Sequence, residues 1–151
     1  MMSSNDPGSK VSIAIGNTIP EMARVVDLVD RFAAVHGIPQ AIGNDLNLCL
    51  DELLNNTIAY GYDDKGPHSI VVTLSLTDDR LIAEIQDDGK PFDPREATLA
   101  PKGSLQSREI GGLGLHFVKT LMDEVGYSRV GRQNVVTIAK KLLGGTADGD
   151  C

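Results

Sequence analysis

The chain has 151 residues, a length that suits one domain with a single hydrophobic core. Its formal net charge is −7, and an acidic surface repels a phosphate backbone, so nucleic acid is not an expected partner. No apolar run approaches the roughly 18 residues of a membrane span, and residues 1–10 lack the apolar region of a signal peptide. We therefore expect a cytoplasmic protein that binds neither nucleic acid nor a membrane.

The first part of the chain predicts a strand followed by a helix. Apolar residues at positions 11, 13 and 15 alternate with their neighbours as they do in a strand. The sequence TIPE predicts a helix that is capped by Thr18, with Glu21 closing a capping box, and Gly37 predicts its end. The apolar residues at helical spacing are Met22, Val25, Val26, Val29 and Phe32.

A second helix is predicted from about Asn44 to Tyr60, and it contains an unusual run of acids and amides, DELLNN. Its apolar stripe consists of Leu46, Cys49, Leu50, Leu53 and Leu54. At about 100° per residue, Glu52 and Asn56 lie one turn apart along the edge of that stripe. An amide oxygen suits Mg²⁺, and a carboxylate one turn earlier could accept a proton, although ordinary solvated side chains would show the same pattern.

The remaining elements are a hairpin, a loop, a helix and a second hairpin. Alternating residues 70–77 and 81–85 form the first hairpin, and residues 94–110 show no strong periodicity. GGLGLHFVKTLMDEVGY opens a helix, and residues 128–143 close the chain as a hairpin with its turn near Gly131 to Asn134. Antiparallel strands with helices gathered on one face predict an α+β fold, a two-layer sandwich with a mixed, mostly antiparallel sheet. The domain should cover residues 10–143, between disordered residues 1–9 and 144–151.

Two further motifs have both a functional and a plain interpretation. In DDGKPFD, Asp87 or Asp88 could accept a hydrogen bond from an exocyclic amine and Gly89 allows close backbone approach, but the same residues are typical of a polar turn. In GGLGL, residues 111–115, the backbone N–H groups at a helix start could bind phosphate, or the glycines could only allow close packing. The spacing is neither that of the dinucleotide fingerprint nor that of a P-loop.

Taken together, the three motifs resemble those of the Bergerat ATP-binding fold, which gyrase, Hsp90, histidine kinases and MutL share. The chain most resembles the small anti-sigma-factor serine kinases of the RsbW and SpoIIAB type. DELLNNTIAYGY is similar to their N-box, DDGKPFDP to their first glycine box and GGLGLHFVKTLMDEVGY to their second. The resemblance covers about residues 10–143, so it implies a histidine-kinase-like ATPase domain that uses ATP and Mg²⁺.

The resemblance also implies a role for individual residues. Glu52 would be the general base, Asn56 the Mg²⁺ ligand and Asp87 the acceptor of the adenine amine, with Gly89 beside the ring. Thr137 would assist the adenine contact through water, and Arg24 would contact partner proteins. The phosphates would be lined by the second glycine box, which comprises Gly111, Gly112, Leu113, Gly114 and Leu115.

Pro91 departs from the family motifs near the expected phosphate site, and the basic residue that contacts the γ-phosphate is not determined by them. The last glycine of the first box is replaced by Pro91, which has no N–H to offer. A lid is expected at roughly residues 95–111, and Lys102 and Arg108 are its candidates for a contact to the γ-phosphate.

The activity implied by the resemblance is that of a serine/threonine protein kinase. It would phosphorylate a STAS-domain anti-anti-sigma protein and sequester a sigma factor, so that phosphorylation switches partners, and it would form a homodimer. The alternative is a catalytically inactive module, with or without bound ATP, that only sequesters a partner. A third interpretation is an unrelated α+β domain in which the motifs are coincidental.

Overall fold

The computed structural model describes residues 9–96, except residue 65, and residues 112–142, with the backbone alone for 112–116. These residues form strand β1 (Lys10–Gly16), helices α1 (Met22–His36) and α2 (Gln40–Tyr60), strands β2 (Ser69–Leu76) and β3 (Arg80–Asp87), helix α3 (Gly112–Leu121), and strands β4 (Glu124–Val130) and β5 (Gln133–Lys141). Apart from Ser9, the two terminal segments expected to be disordered lie outside the described residues. No helix in the described part is both long and apolar enough to cross a bilayer.

The strands form one sheet in the order β1-β2-β3-β5-β4, and every neighbouring pair is antiparallel. Burial alternates along β2 and β3, so that every second side chain faces the helices. Leu46, Leu50 and Leu54 of α2 are almost completely buried against this face. Full burial of such side chains contributes about 1.5–3 kcal/mol each. The predicted two-layer α+β sandwich is confirmed, with an all-antiparallel sheet in the described part.

The start of α1 differs from the prediction. Thr18 makes no side-chain cap hydrogen bond, and a short 3-10 turn, Ile19–Glu21, precedes the helix. The Glu21 carboxylate instead accepts hydrogen bonds from the Gly16 N–H at 3.0 Å and from Arg24 at 2.8 Å. The expected capping box is therefore wrong, because the end of β1 and Arg24 occupy the carboxylate. Val26 is 40% exposed and does not belong to the buried stripe.

The ends of the other helices are also informative. Helix α1 ends at Gly37, whose φ of 68° is left-handed, as predicted. Helix α2 begins at Gln40 rather than Asn44, and Pro39 precedes it as the N-cap residue with an extended ψ of 141°. Helix α3 ends at Leu121, whose carbonyl accepts a hydrogen bond from Lys140 Nζ at 2.8 Å. Residues 124–127, predicted as helix, belong to β4.

Candidate functional site

A cavity of about 640 Å³ opens between the C-terminal half of α2 and the ends of β3 and β5. Its volume lies in the range of roughly 300–1,000 Å³ that small-molecule sites occupy. Leu53, Ile85 and Val136 give it apolar walls, and Asn56, Asp87 and Asn134 give it polar ones. The other lining residues are Thr57, Ala59, Tyr60, Gly61, Tyr62, Lys90, Pro91, Phe92 and Pro94.

The α2 wall carries a polar side chain for which no described residue is a hydrogen-bond partner. Asn56 Nδ2 is buried and has no hydrogen-bond partner among the described residues. The hydroxyl of Tyr62, another residue that lines the cavity, is likewise buried and has no partner among the described residues. Buried polar atoms are almost always hydrogen-bonded, so two such atoms in one cavity are available to donate to a bound molecule.

Glu52 lies one helical turn before Asn56, is part-buried, and is not among the residues that line the cavity. Burial raises its pKa above the ordinary value of 4.5, and the neighbouring Asp51 charge raises it further. Asp51 accepts a hydrogen bond from Asn55 Nδ2 at 3.4 Å. The acid and the amide that precede Glu52 and Asn56 by one residue therefore bond each other. A carboxyl group with a raised pKa is suited to accept a proton near neutral pH.

The opposite end of the cavity is built around Asp87, which is only 4% exposed. Its Oδ1 atom accepts hydrogen bonds from the Gly89 N–H at 2.8 Å and from Asn134 Nδ2 at 3.0 Å. Within the described residues no group donates to Oδ2. Because apolar Ile85 and Val136 line the cavity beside it, this end can hold a flat ring and accept a hydrogen bond from its amine.

Asn134 is a site residue that the sequence interpretation missed. Its Nδ2 also donates to the Lys90 carbonyl at 2.8 Å, while its Oδ1 accepts from the Tyr127 hydroxyl at 2.6 Å and from the Phe92 N–H at 3.3 Å. Asn134 is 4% exposed and occupies an inward position of β5, where the following inward residues are apolar. A lone amide in an otherwise apolar alternation was the signal that could have identified it.

The loop after β3 is packed directly against the end of α2. A Cβ atom at Gly89 would lie 2.8 Å from the Gly61 carbonyl oxygen, so a side chain does not fit there. The Lys90 N–H donates to the same carbonyl at 2.7 Å, and Arg129 Nη1 donates to the Gly89 carbonyl at 2.8 Å. Gly89 was expected to lie close to the ligand ring, but it packs against the backbone of Gly61 instead. Pro91, not Gly89, lines the cavity.

The Tyr62 ring stacks on His68 with a centroid distance of 4.0 Å and an angle of 13°. Burial raises the pKa of Tyr62, and the charges of Asp87 and Asp88 raise it further, so the phenol remains protonated. His68 Nε2 lies 2.9 Å from Asp64 and Nδ1 lies 3.3 Å from Asp88. The hydrogen bond with Asp64 is the main cause of a raised pKa at His68.

A family model described as the histidine kinase-like ATPase domain matches residues 17–140. The chain belongs to this family. The serine-protein kinase RsbW of Bacillus subtilis is 31% identical over 113 residues, which cover 70% of this chain and 69% of that protein. RsbW of Bacillus velezensis is 32% identical over 107 residues, covering 67% and 65% of the two chains. The chain is therefore an RsbW-type member of the family.

Solved structures support the fold of this RsbW-type chain. A crystal structure of the RsbU and RsbW domains of a Mycobacterium tuberculosis protein matches with a TM-score of 0.63 at 20% identity, over 88% of this chain and 32% of that one. A blue-light activated histidine kinase from Erythrobacter litoralis matches with a TM-score of 0.51 at 23% identity, over 72% of this chain and 33% of that one. The chain thus corresponds to about a third of each longer protein.

Thr137 lies away from the cavity, and its expected role stays a prediction. It lies on β5 between the buried residues Val136 and Ile138, so its side chain points to the face of the sheet opposite the helices. Its cross-strand partners are Glu84 and Gly126, and it does not line the cavity. Val136, one residue earlier, lines the cavity instead.

Arg24 is also remote from the cavity in the RsbW-type domain. It lies on the exposed side of α1, where Nη1 bonds Glu21 and approaches the Ala14 carbonyl at 3.5 Å. It lines a second, smaller hollow of about 340 Å³, together with Asp27 and Arg31. A position on the outer surface of α1 suits a partner contact, and that role stays a prediction.

The phosphate-binding predictions fall mostly on residues whose positions are not described. Lys102, Arg108 and Gly111 lie outside the described residues. Helix α3 begins at Gly112, so the backbone of Gly112, Leu113, Gly114 and Leu115 forms the first part of a helix, as the glycine motif predicted. Among the described residues no group of three or more His, Cys, Asp or Glu could hold a metal. A Mg²⁺ ion at Asn56 would therefore take most of its oxygen ligands from phosphate and water.

Proposed function

We propose that this protein is an ATP-dependent serine/threonine protein kinase that acts as an anti-sigma regulatory factor. The observation that carries the proposal is the pairing of Asp87 and Asn56 in one cavity. Asp87 offers a carboxylate oxygen beside an apolar slot, and Asn56 offers an amide whose Nδ2 has no partner among the described residues and can donate to a phosphate oxygen, while its Oδ1 suits Mg²⁺. The two groups suit an adenine and a Mg²⁺-bound phosphate, which are the two ends of one ligand.

The described residues would bind the nucleotide from two sides. Asp87 Oδ2 would accept the hydrogen bond of the adenine amine while Leu53, Ile85 and Val136 enclose the ring. Asn56 would hold Mg²⁺, which when bound neutralises the charge on the phosphate oxygens. The first turn of α3 would place backbone N–H groups near the phosphates.

Transfer requires a base, and Glu52 is proposed for it. The Glu52 carboxylate takes the proton of a serine or threonine hydroxyl as that oxygen forms a bond to the terminal phosphorus. The bond from that phosphorus to the bridging oxygen breaks, and ADP leaves with the electron pair. The raised pKa of Glu52 supports this role because it brings the carboxylate nearer to the basicity that proton transfer at neutral pH needs.

The proposed acceptor is a STAS-domain anti-anti-sigma protein in the cytoplasm. Phosphorylation adds about −1.5 to −2 charges to its surface, which breaks the complex with the acidic kinase. The kinase, as a homodimer, then holds a sigma factor, with Arg24 among the contact residues. The relatives named serine-protein kinase RsbW support the kinase activity, and the partners follow from the resemblance of the sequence motifs.

The test is a transfer assay with radiolabelled ATP, Mg²⁺ and purified STAS-domain proteins encoded in the same genome. Wild-type protein should label one of them, and substitution of its acceptor serine or threonine by alanine should abolish labelling. Glu52→Gln should reduce the rate by about 10²–10⁴-fold. Glu84→Gln is the matched control, because Glu84 is a part-buried glutamate on the opposite face of the sheet.

Two results would overturn parts of the proposal. Transfer by Glu52→Gln at the wild-type rate would remove Glu52 as the base. A stable complex with a STAS-domain protein that is never labelled would replace the kinase by the module that only sequesters its partner.

A further inference from the structure

We propose that Asn134 is a positioning residue that sets the selectivity of the cavity for the nucleobase. It holds the Asp87 carboxylate so that only one of its oxygens, Oδ2, can accept a hydrogen bond from the nucleobase. The inference rests on the proposed nucleotide-binding function and extends it to a residue of β5 that does not belong to any of the three sequence motifs. Asn134 is 47 positions away from Asp87 in the chain and lies opposite it in the register of β3 and β5.

The two oxygen atoms of Asp87 are in different environments. Oδ1 receives both the Gly89 N–H at 2.8 Å and Asn134 Nδ2 at 3.0 Å. Oδ2 receives no hydrogen bond from the described residues. Rotation of the carboxylate about its Cβ–Cγ bond would break both bonds to Oδ1 at once, so the orientation of Oδ2 is fixed before a ligand binds.

The orientation of the Asn134 amide is itself determined by its partners. The Tyr127 hydroxyl at 2.6 Å and the Phe92 N–H at 3.3 Å both donate to Oδ1 of the amide, which therefore must be its acceptor end. Nδ2 then faces the acceptors, which are Asp87 and the Lys90 carbonyl at 2.8 Å. A flipped amide would place an oxygen against the Asp87 carboxylate and an NH₂ group against the Phe92 N–H, which can only donate, so it is excluded.

Asn134 thus connects Asp87 to the loop that follows it by hydrogen bonds. Besides the carboxylate, Asn134 Nδ2 donates to the carbonyls of Lys90 and, at 3.4 Å, Gly89. The Gly89 carbonyl also accepts a hydrogen bond from Arg129. A fixed carboxylate oxygen accepts a hydrogen bond from a 6-amino purine and repels the carbonyl oxygen of a 6-oxo purine. A carboxylate free to rotate away would lose both the attraction and the repulsion.

The experiment compares dissociation constants for ATP and inosine triphosphate, both with Mg²⁺, because the two nucleotides differ at position 6 and N1 of the ring. Wild type should prefer ATP by about tenfold to a hundredfold, as one hydrogen bond to a charged group would give. Asn134→Ala should lower this ratio by about tenfold, and Tyr127→Phe, which removes one anchor of the amide, by about two- to threefold.

Gln133→Ala is the matched control and should leave the ratio unchanged. Gln133 is the adjacent amide of β5, is exposed, and accepts a hydrogen bond from Gln86 Nε2 at 2.7 Å on the other face of the sheet. The Gln133→Ala variant therefore loses a side-chain hydrogen bond between β3 and β5, as Asn134→Ala does, but at a residue that does not line the cavity.

The outcomes separate this inference from the proposed function. If wild type binds neither nucleotide, the proposed function fails. If wild type prefers ATP and folded Asn134→Ala keeps the same ratio, even at weaker affinity, Asn134 has only a structural role and the inference is wrong. If Asn134→Ala does not fold, Tyr127→Phe decides, because an unchanged ratio in that folded variant also overturns the inference.

Discussion

The two ends of the cavity are built in opposite ways. At the sheet end, Asn134 has all its polar atoms hydrogen-bonded and fixes one oxygen of Asp87. At the helix end, the Nδ2 atom of Asn56 is buried without a partner among the described residues, and burial raises the pKa of Glu52. At the sheet end the side chains are held by hydrogen bonds within the protein, whereas the helix end has a buried donor that no described residue satisfies.

The two ends of the cavity should affect the stability of the protein and its transfer activity differently. An unsatisfied buried polar group costs free energy of folding, so the helix end reduces the stability of the ligand-free protein. The hydrogen-bonded groups at the sheet end contribute to that stability. Substitutions at the two ends should therefore have opposite signatures, with losses of transfer at the helix end and losses of folding free energy at the sheet end.

The largest effect is expected in the pH dependence of transfer. Because the Glu52 pKa is raised above 4.5, its carboxylate is protonated at higher pH than a free glutamate, and kcat/KM should fall about tenfold per pH unit below that pKa. Asp51→Asn removes one cause of the raised pKa and should move the acid limb to lower pH. A limb that lies at or below pH 4.5 in the wild type, with the protein still folded, would contradict this assignment.

A smaller effect, on stability, is expected at the sheet end. Asn134→Ala leaves the Tyr127 hydroxyl and the Lys90 carbonyl without their partner, which should lower the free energy of unfolding by about 1–3 kcal/mol. Urea denaturation of the ligand-free protein measures this loss. Gln133→Ala, on the exposed face, should change it by less than about 0.5 kcal/mol. Equal losses in the two variants would mean that the Asn134 network does not stabilise the fold.

The smallest effect concerns His68, at the rim of the sheet end. Its pKa is raised mainly by Asp64, so its stabilising charge is fully present below the unfolded-state pKa near 6.5 and is lost as pH rises through the folded-state pKa. His68→Gln should therefore lower Tm more at pH 5.5 than at pH 8.5. The titration of His68 followed by NMR should give a pKa above 6.5, and a value below it would reverse the sign of this prediction.

Much of the fold was predictable because it depends on short-range patterns. Alternation placed β1, β2 and β3, and Gly37 marked the end of α1, since both signals lie within a few residues of the element they define. The end of α3 was not predictable in this way. Residues 124–127 join β5 as a strand, and Lys140, distant in sequence, bonds the last carbonyl of α3.

The candidate site shows the same division between local and distant contacts. Asp87 and Asn56 are predicted because each lies in a motif of characteristic spacing, and both line the cavity. Thr137 was chosen one residue away from the cavity-lining Val136, and a shift of one residue along a strand moves a side chain to the other face. Asn134 was missed because its role depends on a hydrogen bond to Asp87 across 47 positions, which only the sheet register reveals.

The most direct test of the account is thermal melting of wild type, Asn56→Ala and Asn55→Ala with ATP, in the presence and absence of Mg²⁺. Asn55 is the matched control, since it is the adjacent amide and bonds Asp51 rather than facing the cavity. At a hundredfold excess over Kd, a ligand of the native state stabilises it by about 2.7 kcal/mol. We expect a Mg²⁺-dependent rise of Tm in wild type and Asn55→Ala that is lost in Asn56→Ala. The same rise in Asn56→Ala, or none in wild type, would contradict the claim that the helix end of this cavity binds Mg²⁺ and ATP.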